Sequence, residues 1–221
     1  MQIKRIVGTV WMAYEDGRGI LIDAGMAAQK RTILRKISKL GIDVPLLFLT
    51  HTHYDHTGCA RAVQKATGAK VIVGAREAQY LRSGHTVVPR GTGFFSRMIG
   101  RAGHDIDAKH FEYYDAIPQD VIEIGEVTAL SEFGFDATAI PLGAHSAGSI
   151  GLQIGEHFFV GDVVFGLGHV IYPMFADFEQ DIAAAWNIIL GSGTKYIYPG
   201  HGRKLDAAYL QKIFDRRFGT K

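Results

Sequence analysis

Along the chain, short apolar runs are separated by glycine-centred turns and interrupted by longer segments whose apolar residues recur with a helical period. Val10 to Tyr14 and Gly19 to Asp23 flank "EDGR", and the Asp16-Gly17 pair favours a two-residue hairpin turn. From Met26 to Leu40, the residues Met26, Ile33, Leu34, Ile37 and Leu40 fall on one helical stripe, and Gly41 stands where a left-handed helix end is wanted. Pro45 to Leu49 is a short unbroken apolar run, as expected of a strand buried on both faces, and "CARAVQKATG" reads as a helix closed by Gly68. "KVIVG" and then Ala75 to Leu81 add a strand and a short helix, so strands alternate with helices through the N-terminal half.

In the C-terminal half, Val121 to Ile124, Val127 to Ser131 and Ala137 to Leu142 read as successive strands with turns at Gly125 and Gly134. Ile150 to Ile154 and His157 to Val160 predict a hairpin around Gly155-Glu156. Asp177 is placed to cap a helix carrying Phe178, Ile182, Trp186 and Ile189 and ended by Gly191; "KYIYPG" is a last strand and Leu205 to Phe218 a last helix. Ser83 to Pro118 is the least regular region. Phe94, Phe95, Met98 and Ile99 could share one face of a short helix there, with Arg90, Arg97 and Arg101 around it. Three readings stand for this segment: core or dimer contact, a substrate-facing lid, and membrane contact.

Composition narrows the class. With 221 residues and 47% apolar content, the chain can build one sizeable core, and no repeat or Pro-rich linker divides it, so a single domain over 1–221 is expected. A net charge of +2 gives no reason to expect nucleic acid or a membrane as partner. The single cysteine, Cys59, excludes an internal disulfide, and the N-terminus resembles neither a signal peptide nor a span. A cytoplasmic protein acting on a small molecule is the expectation, with homodimerisation open.

One segment changes the picture. In "LLFLTHTHYDHTG" the apolar run stops at Thr50, and His51, His53, Asp55 and His56 fall within six residues. His51 and His53 are two apart and point to one side of an extended segment, so both can reach one ion. Asp55 and His56 follow where the chain turns into a helix, which can swing them toward a second point nearby. Imidazole with carboxylate suits zinc, iron(II) or manganese better than copper(I) or calcium.

The H-x-H-x-D-H pattern resembles the signature of the metallo-β-lactamase-fold hydrolases, and further motifs extend the likeness. "IPLGAHSAGSIG" resembles that family's G-H-T-x-G-S loop and supplies His145; "FFVGDVVFG" resembles its G-D-x-x-F strand end and supplies Asp162; "YIYPGHG" resembles its P-G-H-G and supplies His201. "GILIDAG" resembles an early strand of the fold whose Asp23 supports rather than ligates. The resemblance implies an α/β chain folded as a four-layer αββα sandwich, two mixed sheets flanked by helices. It implies two divalent ions, zinc first, with iron or manganese as alternatives. His51, His53 and His145 would hold one, Asp55, His56 and His201 the other, and Asp162 would bridge them. A hydroxide between the metals would attack, with Asp55 orienting it and accepting its proton.

His56 and the bridging Asp162 depart from the true zinc β-lactamases, so antibiotic hydrolysis is not expected. The ligand set resembles glyoxalase II, the acyl-homoserine lactonases and the RNase Z-like phosphodiesterases. Only 20 residues follow His201, which leaves no room for glyoxalase II's helical glutathione-binding domain. The reading is a dinuclear hydrolase of an ester, thioester or lactone of a small acyl compound. The alternatives are a phosphodiesterase on the same site, a mononuclear-iron persulfide dioxygenase, and a non-catalytic binding module.

Other residues carry weaker signals. Thr50 and Ser146 could orient imidazoles beside Asp23. Tyr172, and Phe94, Phe95 and Met98 of the lid segment, could contact substrate. His85, His104, His110, His157 and His169 match no ligand motif, and Cys59 reads better as a small buried side chain than as a reactive thiol.

Overall fold

The computed structural model describes residues 1–107, 115–117 and 121–219, with side chains described for all of these except Phe95 and residues 102–107. They form two compact units, Met1–Val87 with Ile106–Gly125, and Val88–Asp105 with Glu126–Lys221.

The first unit is built on a six-stranded mixed sheet in the order β1 (Gln2–Val7), β2 (Val10–Glu15), β3 (Arg18–Ile22), β4 (Asp43–Phe48), β5 (Lys70–Gly74), β6 (Val121–Ile124). β1 with β2 and β2 with β3 pair antiparallel, while β3 to β6 are parallel, with Ile22 opposite Phe48 and Phe48 opposite Ile72. The predicted hairpin is present: Asp16 and Gly17 both have positive φ (50° and 77°), the backbone twist that a tight two-residue turn needs. β1 was not predicted. Its faces alternate only weakly, and Lys4 and Arg5 interrupt the apolar pattern at this sheet edge.

Parallel neighbours need helical crossovers, which the helical stripes supply. α1 (Lys30–Leu40) ends on Gly41 in the left-handed conformation (φ 62°), as its sequence predicts, and α3 (Ala60–Thr67) ends likewise on Gly68 (φ 73°). Ile33 and Ile37 of α1 and Val63 of α3 pack with Leu21, Leu47 and Val71 in one buried cluster. Each fully buried aliphatic side chain contributes about 1.5–3 kcal/mol. The short α2 (Tyr54–Thr57) lies between β4 and α3, and α4 (Ala78–Ser83) follows β5.

The second unit has its own six-stranded mixed sheet. The order is β12 (Leu205–Asp206), β11 (Tyr196–Pro199), β10 (His157–Gly161), β9 (Ile150–Ile154), β8 (Thr138–Pro141), β7 (Thr128–Ala129), with β10 and β11 its one parallel pair. α6 (Ile182–Gly191) and α7 (Ala207–Phe218) pack against it through Ile182, Trp186, Ile189 and Leu210, and the buried Trp186 Nε1 donates to the Val163 carbonyl (2.8 Å). Asp177 does not cap this helix. A 3-10 turn, Glu179–Asp181, leads into α6, whose N-cap is Asp181, while the Asp177 carboxylate accepts from the Arg90 amide (3.0 Å).

The stretch from 83 to 118 is more regular than its glycines predict. It contains α5 (Phe94–Asp107), on which Phe94, Met98 and Ile99 are 76%, 60% and 58% exposed, so these three are not core residues of the chain. Among the described residues, no helix is long and apolar enough to cross a membrane.

Candidate metal centre

In the first unit, the donors gather where parallel strands end side by side. Asp23 directly follows β3 and its amide donates to the Phe48 carbonyl at the end of β4 (2.8 Å), which sets it beside the emerging Thr50. Asp23 is 1% exposed and adopts φ 59°, a left-handed conformation that aspartate tolerates better than most residues. Its carboxylate accepts from the Thr50 amide (2.8 Å), from Thr50 Oγ1 (3.0 Å) and from His56 Nδ1 (2.8 Å). Burial pushes the Asp23 carboxyl above the usual carboxylate range, and the contacts with His56 and Thr50 oppose that shift.

From Thr50 the chain stays extended through His53, the N-cap of α2, and Asp55 and His56 lie in that helix. The His51 ring lies 4.5 Å from that of His53 and 4.0 Å from that of His56, centroid to centroid. In the pairs His51–His53, His51–His56 and Asp55–His56, each residue offers a ligating atom within 4.8 Å of its mate's. These four residues are thus gathered at one strand end within this unit.

In the second unit the same device recurs. β10 and β11 are parallel neighbours, with Gly161 opposite Pro199, so Asp162 and His201 emerge from adjacent strand ends. His201 Nε2 stands 3.3 Å from Asp162 Oδ2, and Asp162 is 5% exposed. The following Gly202 has φ 93°, and an added Cβ there would lie 2.1 Å from the Gly166 carbonyl carbon, so only glycine allows the backbone pairing that holds His201 (Gly166 N to His201 O, 2.8 Å). His145 follows β8 in a tight loop, buried, with Nδ1 at 2.8 Å from the Phe175 carbonyl.

These bonds settle imidazole tautomers. A carbonyl or carboxylate oxygen accepts, so His145 and His56 carry a proton on Nδ1, and in the neutral ring Nε2 is then the nitrogen with the lone pair. Thr50 Oγ1 spends its proton on Asp23 and so accepts from His51 Nδ1 (3.0 Å), giving the same tautomer. Each unit thus offers buried imidazole nitrogens beside a carboxylate, His51 and His56 with Asp55 in the first, and His145, with the Asp162–His201 pair, in the second. The donor set fits a borderline transition metal such as zinc.

The other candidates are placed as follows. Ser146 turns its hydroxyl to Ser149 Oγ (2.7 Å), and the orienting role considered for it is taken by a backbone carbonyl, which leaves no mark in a sequence. The Tyr172 hydroxyl donates to Glu179 (3.3 Å) while its ring lies under the Arg217 guanidinium (3.5 Å) and near Trp186, so it serves packing in the second unit. Phe94 and Met98 are exposed on α5; the side chains of Phe95 and His104, and all of His110, lie outside the described residues.

Sequence reasoning missed Glu77. It is 1% exposed, and its Oε2 accepts from the Thr52 amide (2.7 Å) and from Thr52 Oγ1, tying down the residue between His51 and His53. Nothing in the local pattern distinguishes it from a solvent-facing residue before a helix. Glu77→Ala would leave the buried Thr52 amide without this acceptor, and urea denaturation should register a loss of about 1–3 kcal/mol, most of it recovered in Glu77→Gln.

Cys59 is buried, with Sγ 3.1 Å from the Met26 carbonyl, and burial pushes its thiol up to about 11 from 9.0. Below that value the group stays a neutral thiol. At pH 8 it should react with iodoacetamide at least about 100-fold more slowly than an ordinary cysteine, since reactivity follows the thiolate fraction; labelling at the ordinary rate would contradict the buried reading.

Comparison with known proteins agrees with the geometry. The profile of the metallo-beta-lactamase superfamily matches residues 4–201, a range that includes all seven donors. A protein of Methanocaldococcus jannaschii named a probable metallo-hydrolase is 24% identical over 191 residues, covering 84% of this chain and 83% of its own. The hydroxyacylglutathione hydrolase GloC of Haemophilus influenzae is 26% identical over 194 residues, covering 85% and 82%. The solved structure of the B3 metallo-beta-lactamase BLEG-1 matches with a TM-score of 0.71 at 20% identity, covering 96% of this chain and 94% of that one, a likeness of fold. The fold class implied by the motifs, two mixed sheets flanked by helices, is borne out. With nearly its whole length matched, the chain belongs to the metallo-beta-lactamase superfamily and stands with that superfamily's metal-dependent hydrolases.

Proposed function

We propose that the protein is a dinuclear hydrolase that cleaves an ester, thioester or lactone bond of a small acyl substrate. The observation that carries this reading is the locked set of imidazole tautomers. Asp23, Thr50 and the Phe175 carbonyl engage Nδ1 of His56, His51 and His145, so each offers Nε2 to a cation. In this proposal His51, His53 and His145 would hold one divalent ion and Asp55, His56 and His201 a second, with Asp162 as a further carboxylate ligand.

When bound, such cations bring the acidity of water near neutrality and polarise a scissile carbonyl oxygen. The chain's own residues then have distinct tasks. Asp55, whose side chain is 20% exposed, would orient the attacking water and accept its proton. Asp23 and Glu77 keep the His-x-His segment from shifting. The choice of an acyl substrate draws on the GloC relative, whose name describes hydrolysis of an acyl derivative of glutathione.

The test is a panel of lactone, thioester, aryl-ester and phosphodiester substrates on zinc-loaded protein. Turnover of one or more acyl substrates above the phosphodiester is expected. Phosphodiester cleavage alone would replace the substrate assignment, and no turnover of any class would contradict the hydrolase reading.

A further inference from the structure

A cleft of about 390 Å³ lies within the second unit, lined by Arg90, Gly91, Arg97, Gly100 and Arg101. Its floor is bare backbone: a Cβ on Gly91 would lie 2.0 Å from the Ser96 carbonyl carbon, and one on Gly100 would lie 3.1 Å from the Gly91 nitrogen. Segment 90–91 therefore packs directly on α5, and three of the five residues that line the cleft are arginines. Arg97 is held in place, with Nε donating to the Gly91 carbonyl (3.3 Å) and Nη2 3.5 Å from Glu179 Oε2. Among the described residues, Glu179 is the carboxylate ion-paired to these arginines, and the nearby Asp177 carboxylate takes the Arg90 amide. Among the described residues, three arginines line the cleft and one carboxylate, Glu179, is ion-paired to them, which leaves these groups with a positive balance. Guanidinium forks match the paired oxygens of a carboxylate or phosphate.

The cleft is wired to a candidate metal ligand. The Ala176 amide donates to the Arg90 carbonyl (2.8 Å), and Gly91 bridges to Phe175. The same short segment serves His145: the Phe175 carbonyl accepts from its Nδ1 (2.8 Å), and the Asp177 amide donates to its carbonyl (2.9 Å). One backbone strip thus carries the arginine wall on one side and fixes the imidazole on the other. A substrate anchored by a charged end at the arginines would have its position set relative to His145 by hydrogen bonds alone. Phe94 and Met98 are exposed one helical turn apart on the same helix as Arg97 and Arg101.

From this arrangement we infer that the cleft is an oxyanion-binding subsite that takes a carboxylate or phosphate group at the far end of the acyl substrate. The inference rests on the hydrolase reading above for its substrate, but the binding site itself can be tested without turnover. Calorimetric titration of the full chain at low ionic strength with succinate and, separately, inorganic phosphate should give saturable one-site binding of at least one. The better-bound anion identifies the substrate's terminal group. Arg90→Gln/Arg101→Gln, with both changes on exposed side chains, should weaken that binding at least about tenfold, and added salt should weaken it in the parent chain.

In metal-loaded protein, the same double variant should lower kcat/KM for a succinyl thioester about tenfold more than for a butyryl thioester, chiefly through KM. Absence of binding by both anions, or binding that the double variant leaves intact, would overturn the subsite whatever the enzyme hydrolyses. Anion binding that behaves as expected in a protein that cleaves no ester would instead contradict the hydrolase reading and leave the subsite standing.

Discussion

Asp162→Ala should reduce acyl hydrolysis at least about 100-fold, more than an outer partner of a metal ligand usually costs, and should leave at most one tightly held metal ion per chain. Asp162 is 5% exposed at the end of β10, and its carboxylate reaches within 3.3 Å of His201. In the proposed centre it would supply negative charge to offset the repulsion between two dications, which no neutral side chain can replace. Asp162→Asn keeps the shape but removes that charge, so it should fail in the same way. The measurements are kcat/KM on the best acyl substrate and metal content by elemental analysis. Unchanged values for both quantities would remove Asp162 from the centre.

Asp23→Ala should be the most damaging change to stability. Three donors converge on this 1%-exposed carboxylate, two from Thr50 and one from His56. Removing one partner of a buried charged network typically costs about 3–5 kcal/mol. The effect should not stop at stability. Without Asp23, the His56 ring loses the bond that fixes its tautomer, and loss of such a partner lowers metal affinity about 10- to 100-fold. Asp23→Asn retains a carbonyl oxygen and tolerates the φ of 59°, so it should be milder in denaturation while still weakening metal retention. Denaturant melts on metal-free and metal-loaded samples separate the two contributions.

Legibility in the sequence followed how local each feature is. Helices α1 and α3, with their left-handed glycine ends, and the hairpin at Asp16-Gly17 were readable because period and turn chemistry are encoded within a few residues. Strands β1 and β12 were not, because Lys4 and Arg5 break the apolar pattern of the first and the second is only 2 residues long. Asp177 has the identity and place of a helix cap, yet its carboxylate answers the amide of Arg90, which stands far away in the chain. The donor residues stood out through their spacing and their likeness to a family's motifs. Their supports did not: the Phe175 carbonyl is a backbone atom, and Glu77 reaches Thr52 across 25 residues. Long-range bonds to common residue types leave no pattern in one sequence.

The central claim is that this chain holds two adjacent transition-metal ions, and the most direct test is counting them. Protein purified without added metal, then loaded with zinc and freed of excess by gel filtration, should carry close to two zinc ions per chain by elemental analysis. A reproducible single ion per chain, such as one iron accompanied by oxygen uptake on persulfide, would contradict it.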